Sequence, residues 1–171
     1  MPVVTSIGNS VFSGLGKLVT ISLPSATYLG LGAFGDCGSL TTVDLPALTS
    51  TAGAVFMNCT KLTTVSMPAL TRIEDAVFKG CTNLTKISLP AASRLYSSAF
   101  TGCTKLSQIY LLSSNLCSLV HANAFNSTPL SASSYLGYFG SIYVPSSLVN
   151  DYKTANNWSA YSDRITAYRE E

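Results

Sequence analysis

The sequence predicts a solenoid of stacked coils, because three residue types recur at one spacing of 22 residues. Phenylalanine, proline and cysteine share this register over most of the chain. The phenylalanines are Phe12, Phe34, Phe56, Phe78 and Phe100, the prolines Pro2, Pro24, Pro46, Pro68 and Pro90, and the cysteines Cys37, Cys59, Cys81 and Cys103. A unit this short cannot bury an apolar face alone, so neighbouring coils must cover one another. Equivalent side chains should form ladders inside the stack, at about the 4.8 Å that separates neighbouring strands.

Each unit should contain a short strand that stops at its proline. In the third unit, Val65 and Met67 alternate with polar residues, and Pro68 follows at once. This alternation is typical of a half-buried strand, and proline belongs at a strand margin because it cannot donate to a ladder. A second apolar pair, Leu70 and Ile73, precedes the next phenylalanine. Because the unit leaves no room for a full helix, we expect turns, 3₁₀ segments or a second brief strand there.

The composition favours a polar, nearly neutral surface. Hydrophobic residues make up 47% of the 171 residues and charged residues 11%, and the formal net charge is +2. So small a charge, carried by scattered Lys and Arg side chains, argues against nucleic-acid binding. No apolar run approaches the length of a membrane span, and residues 1–10 lack the basic and apolar regions of a secretory signal. We therefore expect no insertion into a membrane.

The repeated string Ala-Phe-x-x-Cys-x-x-Leu-x-x-Ile-x-Leu-Pro occurs here as VFKGCTNLTKISLP and AFTGCTKLSQIYLL. It resembles the BspA-like leucine-rich repeats of bacterial surface proteins over about residues 2–125. Two departures are Leu15, in place of cysteine, and Leu112, in place of proline. The resemblance implies a right-handed leucine-rich repeat solenoid, here of about five coils, made of short parallel strands and turns with little helix. It also implies a role in adhesion or recognition, with ligands that differ among members and with no shared active site.

The start of the chain falls halfway through a unit, because Pro2 and Ile7 align with Pro68 and Ile73. We interpret residue 1 as the cut edge of an array, and we expect the solenoid to be part of a larger protein that is secreted or displayed on the cell surface. Unpaired strand groups at such an edge could pair with another molecule. Edge-to-edge self-association at the N-terminal coil is therefore one possible property.

The period breaks down after Leu111. Phe100 and Phe125 are 25 residues apart, and the strand-like segment 142–144 comes about eight residues later than the period requires. Between them, residues 130–141 are rich in Ser, Gly and Tyr and predict an extended loop. We divide the chain into a solenoid of residues 1–125 and a final irregular coil with a small α/β cap, residues 126–171.

The cap should contain one short helix. Ser146 or Ser147 is its predicted N-cap, and the helix should end near residues 156–157. Its apolar positions at helical spacing are Leu148, Tyr152 and Ala155. An array needs an atypical end that shields its apolar cross-section, and the side chains expected to do this are Trp158, Tyr161 and Ile165.

The four in-register cysteines predict buried free thiols. Zinc ligands converge on one point, whereas residues one coil apart form a line, so we expect neither a metal site nor a cofactor. Parallel side chains also disfavour a disulfide. Cys117 is assigned to the core column of Ile73 and Leu95. A nucleophile pair of Cys117 with His121 would be the one catalytic arrangement, but no third orienting group is evident, so we do not expect an enzyme.

The best candidate site is a surface made of two outward columns on the predicted strands. Its residues are Thr20, Ser22, Thr42, Asp44, Thr64, Ser66, Lys86, Ser88, Gln108 and Tyr110. Leucine-rich repeat proteins commonly bind ligands on such a face. The alternative is that these side chains are simply compatible with a solvated strand.

Aromatic residues accumulate near the C-terminal end of this face. Tyr110, Tyr135, Tyr138, Phe139 and Tyr143 could stack on a sugar or a partner side chain, or could pack within the cap. The sequence thus favours a non-catalytic module for adhesion, which binds a host or bacterial protein or glycan. The alternative function is a structural spacer or self-associating scaffold without a specific ligand.

Overall fold

The computed structural model describes residues 3–131 and 139–170 and confirms the predicted stacked-coil solenoid. Each regular coil contributes two short strands. The first set consists of β2 (Thr20–Ser22), β4 (Thr42–Asp44), β6 (Thr64–Ser66), β8 (Lys86–Ser88), β10 (Gln108–Tyr110), β12 (Ser141–Val144) and β13 (Ile165–Ala167). The second set consists of β1 (Ser6–Ile7), β3 (Tyr28–Leu29), β5 (Ser50–Thr51), β7 (Arg72–Ile73), β9 (Arg94–Leu95) and β11 (Ser118–Leu119). Of the alternatives that the sequence left open for the segment after each proline, a second brief strand is therefore the one that forms.

The described residues make about seven turns, against the five coils that the sequence predicted. The two additional turns carry β12 and β13, which lie outside the regular period. All strand pairs are parallel and in register, as in Thr20 with Thr42 and Ile109 with Ile142. Register is kept because a slip by one residue would turn an apolar side chain to solvent.

The phenylalanines form one continuous stack through the solenoid. Neighbouring ring centroids lie 5.2, 5.8, 5.7, 5.3 and 5.6 Å apart from Phe12 to Phe125, in near-parallel stacking. The ring of Phe78 is fully buried between two others, whereas Phe12, at the first coil, is only partly buried. The predicted ladder is thus present, and it continues one ring further, to Phe125.

Both sets of strands are interrupted at the same level of the stack. β2, β4 and β6 form one sheet and β8, β10, β12 and β13 another; likewise β1, β3 and β5 are separate from β7, β9 and β11. Thr51 lies at this level; it pairs with Leu29, and the 22-residue spacing makes Ile73 its equivalent in the next coil. Its buried hydroxyl has no hydrogen-bond partner among the described residues, and an unpaired buried hydroxyl costs about 1–3 kcal/mol. The turns that carry the phenylalanines remain hydrogen-bonded from coil to coil at this level, since the Phe56 backbone N–H donates to the Val77 carbonyl at 2.9 Å.

Hydroxyl side chains tie each coil to the one before it. The Thr41 hydroxyl donates to the Val19 carbonyl at 3.1 Å, and the Thr63 hydroxyl donates to the Thr41 carbonyl at 3.2 Å. Similar bonds are made by Thr27, Thr49, Thr71, Ser93, Thr82 and Thr104. The abundant Ser and Thr therefore connect neighbouring coils as well as making the surface polar. Their hydroxyls follow the same 22-residue spacing as the core.

Tight turns explain the glycine that precedes two of the cysteines. Gly80 and Gly102 have φ values of 76°, in the left-handed region that glycine adopts without steric cost. A Cβ at Gly80 would lie 2.5 Å from the Asn58 side-chain oxygen. Asn58 occupies the equivalent place one coil earlier, at φ 59°, and its amide donates to Asp36 at 2.9 Å. This position of the turn is therefore held by glycine or by Asp and Asn, whose short polar side chains tolerate the left-handed conformation.

The C-terminal cap differs in detail from its prediction. A 3₁₀ turn, Ser146–Leu148, leads into α1 (Val149–Thr154), and a longer 3₁₀ helix follows at Ser159–Arg164. The predicted serine N-cap is wrong, because no side chain caps either start and the Leu148 amide instead donates to the Pro145 carbonyl at 2.9 Å. The helix also ends before the predicted residues 156–157.

Trp158, Tyr161 and Ile165 are all buried at the end of the stack, as the sequence predicted. The Trp158 ring packs against Phe125, with a centroid distance of 6.1 Å, and so covers the last ring of the ladder. Its indole N–H donates to the Cys117 carbonyl at 2.6 Å. The Asn157 side chain donates to the Leu119 and Val120 carbonyls at 2.9 Å each. The cap is therefore fixed by hydrogen bonds as well as by apolar contact.

Two core assignments from the sequence are corrected. Cys117 does not occupy the column of Ile73 and Leu95; Leu119 does, because β11 pairs with β9 through Leu119 and Leu95. The extra residues after Leu111 shift the register by two, which counting in steps of 22 does not capture. Leu15 is 46% exposed, although it occupies the cysteine position, because no coil of the described residues covers the first turn.

Candidate functional site

The strand face consists of the two outward columns of the first strand set, and the structure aligns them as predicted within each sheet. Thr20, Thr42 and Thr64 pair in one column, and Ser22, Asp44 and Ser66 in the other. In the second sheet Lys86 pairs with Gln108, and Ser88 with Tyr110. The whole set is exposed or partly exposed, since the alternating residues of each strand point into the core. The face is therefore a polar surface.

The structure extends this face beyond the residues that the sequence singled out. Ser141 and Tyr143 of β12 continue the two columns, and Thr166 of β13 follows Tyr143. Residues 165–168 alternate apolar and polar or aromatic side chains, which is a strand signal that the sequence analysis missed. It was missed because this segment follows a helix and lies outside the repeat period.

The aromatic end of the face is a groove of about 1080 Å³. Tyr110 and Tyr143 stack with centroids 4.7 Å apart and planes 10° from parallel, and Tyr168 meets Tyr110 edge-on at 5.9 Å. Gln108 lies beside them, with its side-chain oxygen 3.3 Å from the Tyr110 hydroxyl. The rest of the lining includes Thr166, Arg169 and Glu170.

The other aromatic residues of the predicted cluster do not join these rings in the described part of the chain. Tyr135 and Tyr138 lie outside the described residues. Phe139 is 62% exposed and contacts Arg164, whose guanidinium carbon lies 4.2 Å from the ring centroid. The structure thus brings together Tyr110 and Tyr143 from the prediction and adds Tyr168.

A second, smaller depression lies where the two sheets of the strand face meet. It has a volume of about 250 Å³ and is lined by Thr64, Val65, Lys86, Ser88 and Tyr110, among others. Val65 is only partly buried here, although the equivalent Val43 is fully buried. The interruption between β6 and β8 therefore leaves a depression in the middle of the face, and Lys86 lies beside this depression.

The four ladder cysteines act as buried hydrogen-bond donors. Each thiol donates to the carbonyl of the phenylalanine one coil earlier, at distances of 3.0–3.2 Å, as Cys59 does to Phe34. Burial raises the pKa of Cys59 to about 12, so its thiol stays protonated at neutral pH and is a poor nucleophile. Among the described residues, no group of three His, Cys, Asp or Glu side chains is placed to hold a metal ion.

Cys117 and His121 do not have the environments of an activated nucleophile and its base. Cys117 is fully buried beneath the cap, and burial raises its pKa to about 12. The backbone N–H of Cys117 donates a hydrogen bond to the Tyr152 hydroxyl of the cap at 2.9 Å. His121 is exposed. A buried protonated thiol and an exposed imidazole provide no activated nucleophile.

Comparison with known proteins agrees with this architecture. The family model of the BspA type leucine rich repeat region matches six copies, over residues 2–107 and 27–144. The chain belongs to the BspA-type leucine-rich repeat family. Members of such repeat families are generally non-catalytic scaffolds. No curated protein matches this family member.

Solved leucine-rich repeat proteins from bacteria share the fold. One from Bacteroides ovatus is 22% identical, with a TM-score of 0.69 over 96% of this chain and 40% of its own. A leucine rich cell surface protein from Faecalibacterium prausnitzii is 23% identical, with a TM-score of 0.63 over 84% of this chain and 34% of its own. The leucine rich repeat protein of T. pallidum is 23% identical, with a TM-score of 0.52 over 64% and 66%.

This BspA-type chain thus spans well under half the length of the first two structures it matches. At identities of 22–23%, the structural likeness shows a shared fold alone. Within residues 3–131 and 139–170, no helix has the combination of length and apolar character needed to cross a bilayer.

Proposed function

We propose that this chain is a non-catalytic recognition module that binds a protein or glycan through the strand face. The observation that carries the proposal is the in-register alignment of exposed polar columns, which end in an aromatic groove. A rigid repeat presents these side chains at fixed spacing, so little entropy is lost when they engage a partner. The relative from Faecalibacterium prausnitzii is described as a cell surface protein. We therefore place the module in a larger bacterial adhesion protein that is displayed on the surface or secreted.

A paired set of double variants tests the strand face. Replacing Lys86 and Tyr110 by alanine removes a charge and a ring from its centre and should weaken binding at least tenfold, as expected where a central aromatic contact is lost. The matched control replaces Lys79 and Tyr28, which are exposed elsewhere on the coils, and should change affinity less than about twofold. Binding is measured by biolayer interferometry on immobilised mucin, laminin and collagen.

The strand face would be rejected as the binding surface if both double variants bound these probes equally well. Absence of binding to all three probes by the unmodified chain would count against recognition of host surfaces. Circular dichroism spectra of the variants should match that of the unmodified chain, because the four replaced side chains are at least partly exposed.

The open first coil supports a second candidate, a self-associating scaffold. Val11, Leu15 and Val19 are 57%, 46% and 52% exposed, and Phe12 is only partly covered. In the described residues β2 pairs with β4 alone, so its other edge offers backbone groups to a second molecule. Two such apolar ends could cover one another and extend the stack.

Leu15→Lys is expected to abolish association through this edge, because a charged side chain cannot be buried unpaired between two apolar ends. Sedimentation velocity should show the unmodified 18.0 kDa chain shifting from monomer to dimer as its concentration rises, whereas the variant remains a monomer. Leu116→Lys is the control, since Leu116 is 38% exposed but far along the chain from the first coil. A monomer at every concentration of the unmodified chain would remove this candidate.

A further inference from the structure

The groove at the C-terminal end of the strand face differs from the rest of that face in chemistry. Most of the face carries Ser, Thr and single charged residues, whereas the groove combines three tyrosines with hydrogen-bonding side chains. Its volume of about 1080 Å³ lies slightly above the roughly 300–1,000 Å³ that is usual for small-ligand sites. These properties suit a compact ligand better than the flat surface of a globular protein.

The ring arrangement is held in place by the fold. Tyr110 and Tyr143 occupy paired positions on β10 and β12, so the strand register fixes the 4.7 Å stacking of their rings. Tyr168 is held by its backbone amide, which donates to the Val144 carbonyl at 2.8 Å. All three side chains are partly exposed in the groove. A ligand would therefore meet preorganised aromatic surface and would not have to order it.

The polar groups around the rings offer both donors and acceptors. The Gln108 amide and the Thr166 hydroxyl each provide both functions, Arg169 provides donors only, and Glu170 provides acceptors only. The two charges are of opposite sign, so the lining is neutral as a whole. A neutral ligand with many hydroxyls could pair with all of these groups.

We propose that this groove binds a neutral oligosaccharide. The C–H bonds of a pyranose ring place weakly positive hydrogens over a tyrosine ring, whose face is negative, while the sugar hydroxyls pair with Gln108, Thr166, Arg169 and Glu170. The proposal rests on the proposed function, because it assigns a class of ligand to one end of the strand face. It gives the chain a sugar-binding subsite built from β10, β12 and β13.

A proline-rich peptide is another class of ligand that fits aromatic grooves, and the chemistry of the lining disfavours it. Proline has no backbone N–H, so such a peptide offers mainly carbonyl acceptors. The Glu170 carboxylate would then lack a donor from the ligand, whereas the Gln108 side-chain oxygen already accepts from the Tyr110 hydroxyl. Sugar hydroxyls donate as well as accept, and so satisfy both kinds of group.

Titration of the full chain with defined hexasaccharides tests the subsite. Cellohexaose, maltohexaose, chitohexaose and mannohexaose are added separately, with decaproline as the competing class, and binding is followed by isothermal calorimetry. We expect at least one hexasaccharide to bind, and Tyr168→Ala or Tyr143→Ala to weaken that binding tenfold or more. Tyr168→Phe should retain most of the affinity, because it keeps the ring. Tyr28→Ala, at an exposed tyrosine of β3, should not change it.

The subsite proposal fails if no hexasaccharide binds, if the Tyr143 and Tyr168 variants bind sugars unchanged, or if decaproline binds through these tyrosines instead. The outcome is separable from that of the strand face. Loss of mucin, laminin or collagen binding in the Lys86 and Tyr110 double variant, with full retention in Tyr168→Ala, would keep the face and reject the groove. Fluorescence of Trp158, buried in the cap, checks that each variant is folded.

Discussion

Phe78→Ala is expected to lower the free energy of unfolding by about 4 kcal/mol, since truncation of a buried phenylalanine leaves a cavity that the surroundings fill only partly. Phe78 is fully buried between Phe56 and Phe100, with centroid distances of 5.7 and 5.3 Å. The cavity therefore opens in the middle of the ladder, where coils on both sides depend on it. Guanidinium unfolding followed by circular dichroism measures the loss.

The same variant should also divide the solenoid into two unfolding units. In a repeat array each coil is stabilised by its neighbours, so a weak interface in the middle uncouples the two ends. Trp158 is the single tryptophan and lies in the cap, so its fluorescence reports the C-terminal end, while circular dichroism reports the whole chain. The two transitions should coincide in the unmodified chain and separate in Phe78→Ala.

Phe12→Ala is the control for this prediction. Phe12 stacks on Phe34 alone and is only partly buried, so its loss should cost about 1 kcal/mol and leave the two transitions together. Equal destabilisation by the two substitutions would mean that the ladder is not the main source of coupling between coils.

Trp158→Ala should destabilise the cap by about 3–5 kcal/mol, the usual cost of removing a buried tryptophan. Besides its packing against Phe125, Tyr152 and Tyr161, the indole donates the hydrogen bond that satisfies the Cys117 carbonyl. The substitution would remove one of two aromatic rings that cover the end of the phenylalanine stack, and Tyr161 would remain against Phe125. Limited proteolysis followed by mass spectrometry should show early cleavage within residues 145–170 and a resistant N-terminal fragment.

Trp158→Phe separates the packing contribution from that of the hydrogen bond. It keeps an aromatic ring over Phe125 but lacks the N–H donor, so we expect a loss of about 1–2 kcal/mol, typical of an unpaired buried carbonyl with modest repacking. Trp158→Ala and Trp158→Phe are compared by thermal unfolding monitored by circular dichroism. Unchanged protease resistance in Trp158→Ala would show that the cap does not depend on this side chain.

The repeat core was predictable from the sequence because one constraint acts on every coil. Phe56, Leu62 and Cys59 recur in register and are all fully buried. The candidate strand face followed from the same count, since residues that alternate with buried ones must point outward. Thr64 and Lys86 therefore lie on the predicted face.

The structure differs from the prediction where the 22-residue period fails and where a coil has no neighbour among the described residues. Leu119 replaces Cys117 in its column because added residues shift the register, and β13 lies beyond a helix whose length sets its position. Leu15 has the residue type of a core position but is exposed, because burial depends on the coil that covers it and not on the side chain. Tyr168 became part of the candidate groove only through β13.

The sequence by itself determined that this chain is a BspA-type stack with a column of phenylalanine, leucine and cysteine, because a period of 22 residues allows each coil to be covered only by an equivalent coil. The tertiary structure decided where the ladders break, how the cap closes the stack and which tyrosines meet in the groove. Those features depend on contacts between segments that share no period, such as Tyr110 with Tyr168 and Trp158 with Phe125. A periodic pattern fixes the distance between its own copies, but it carries no information about the residues that interrupt it.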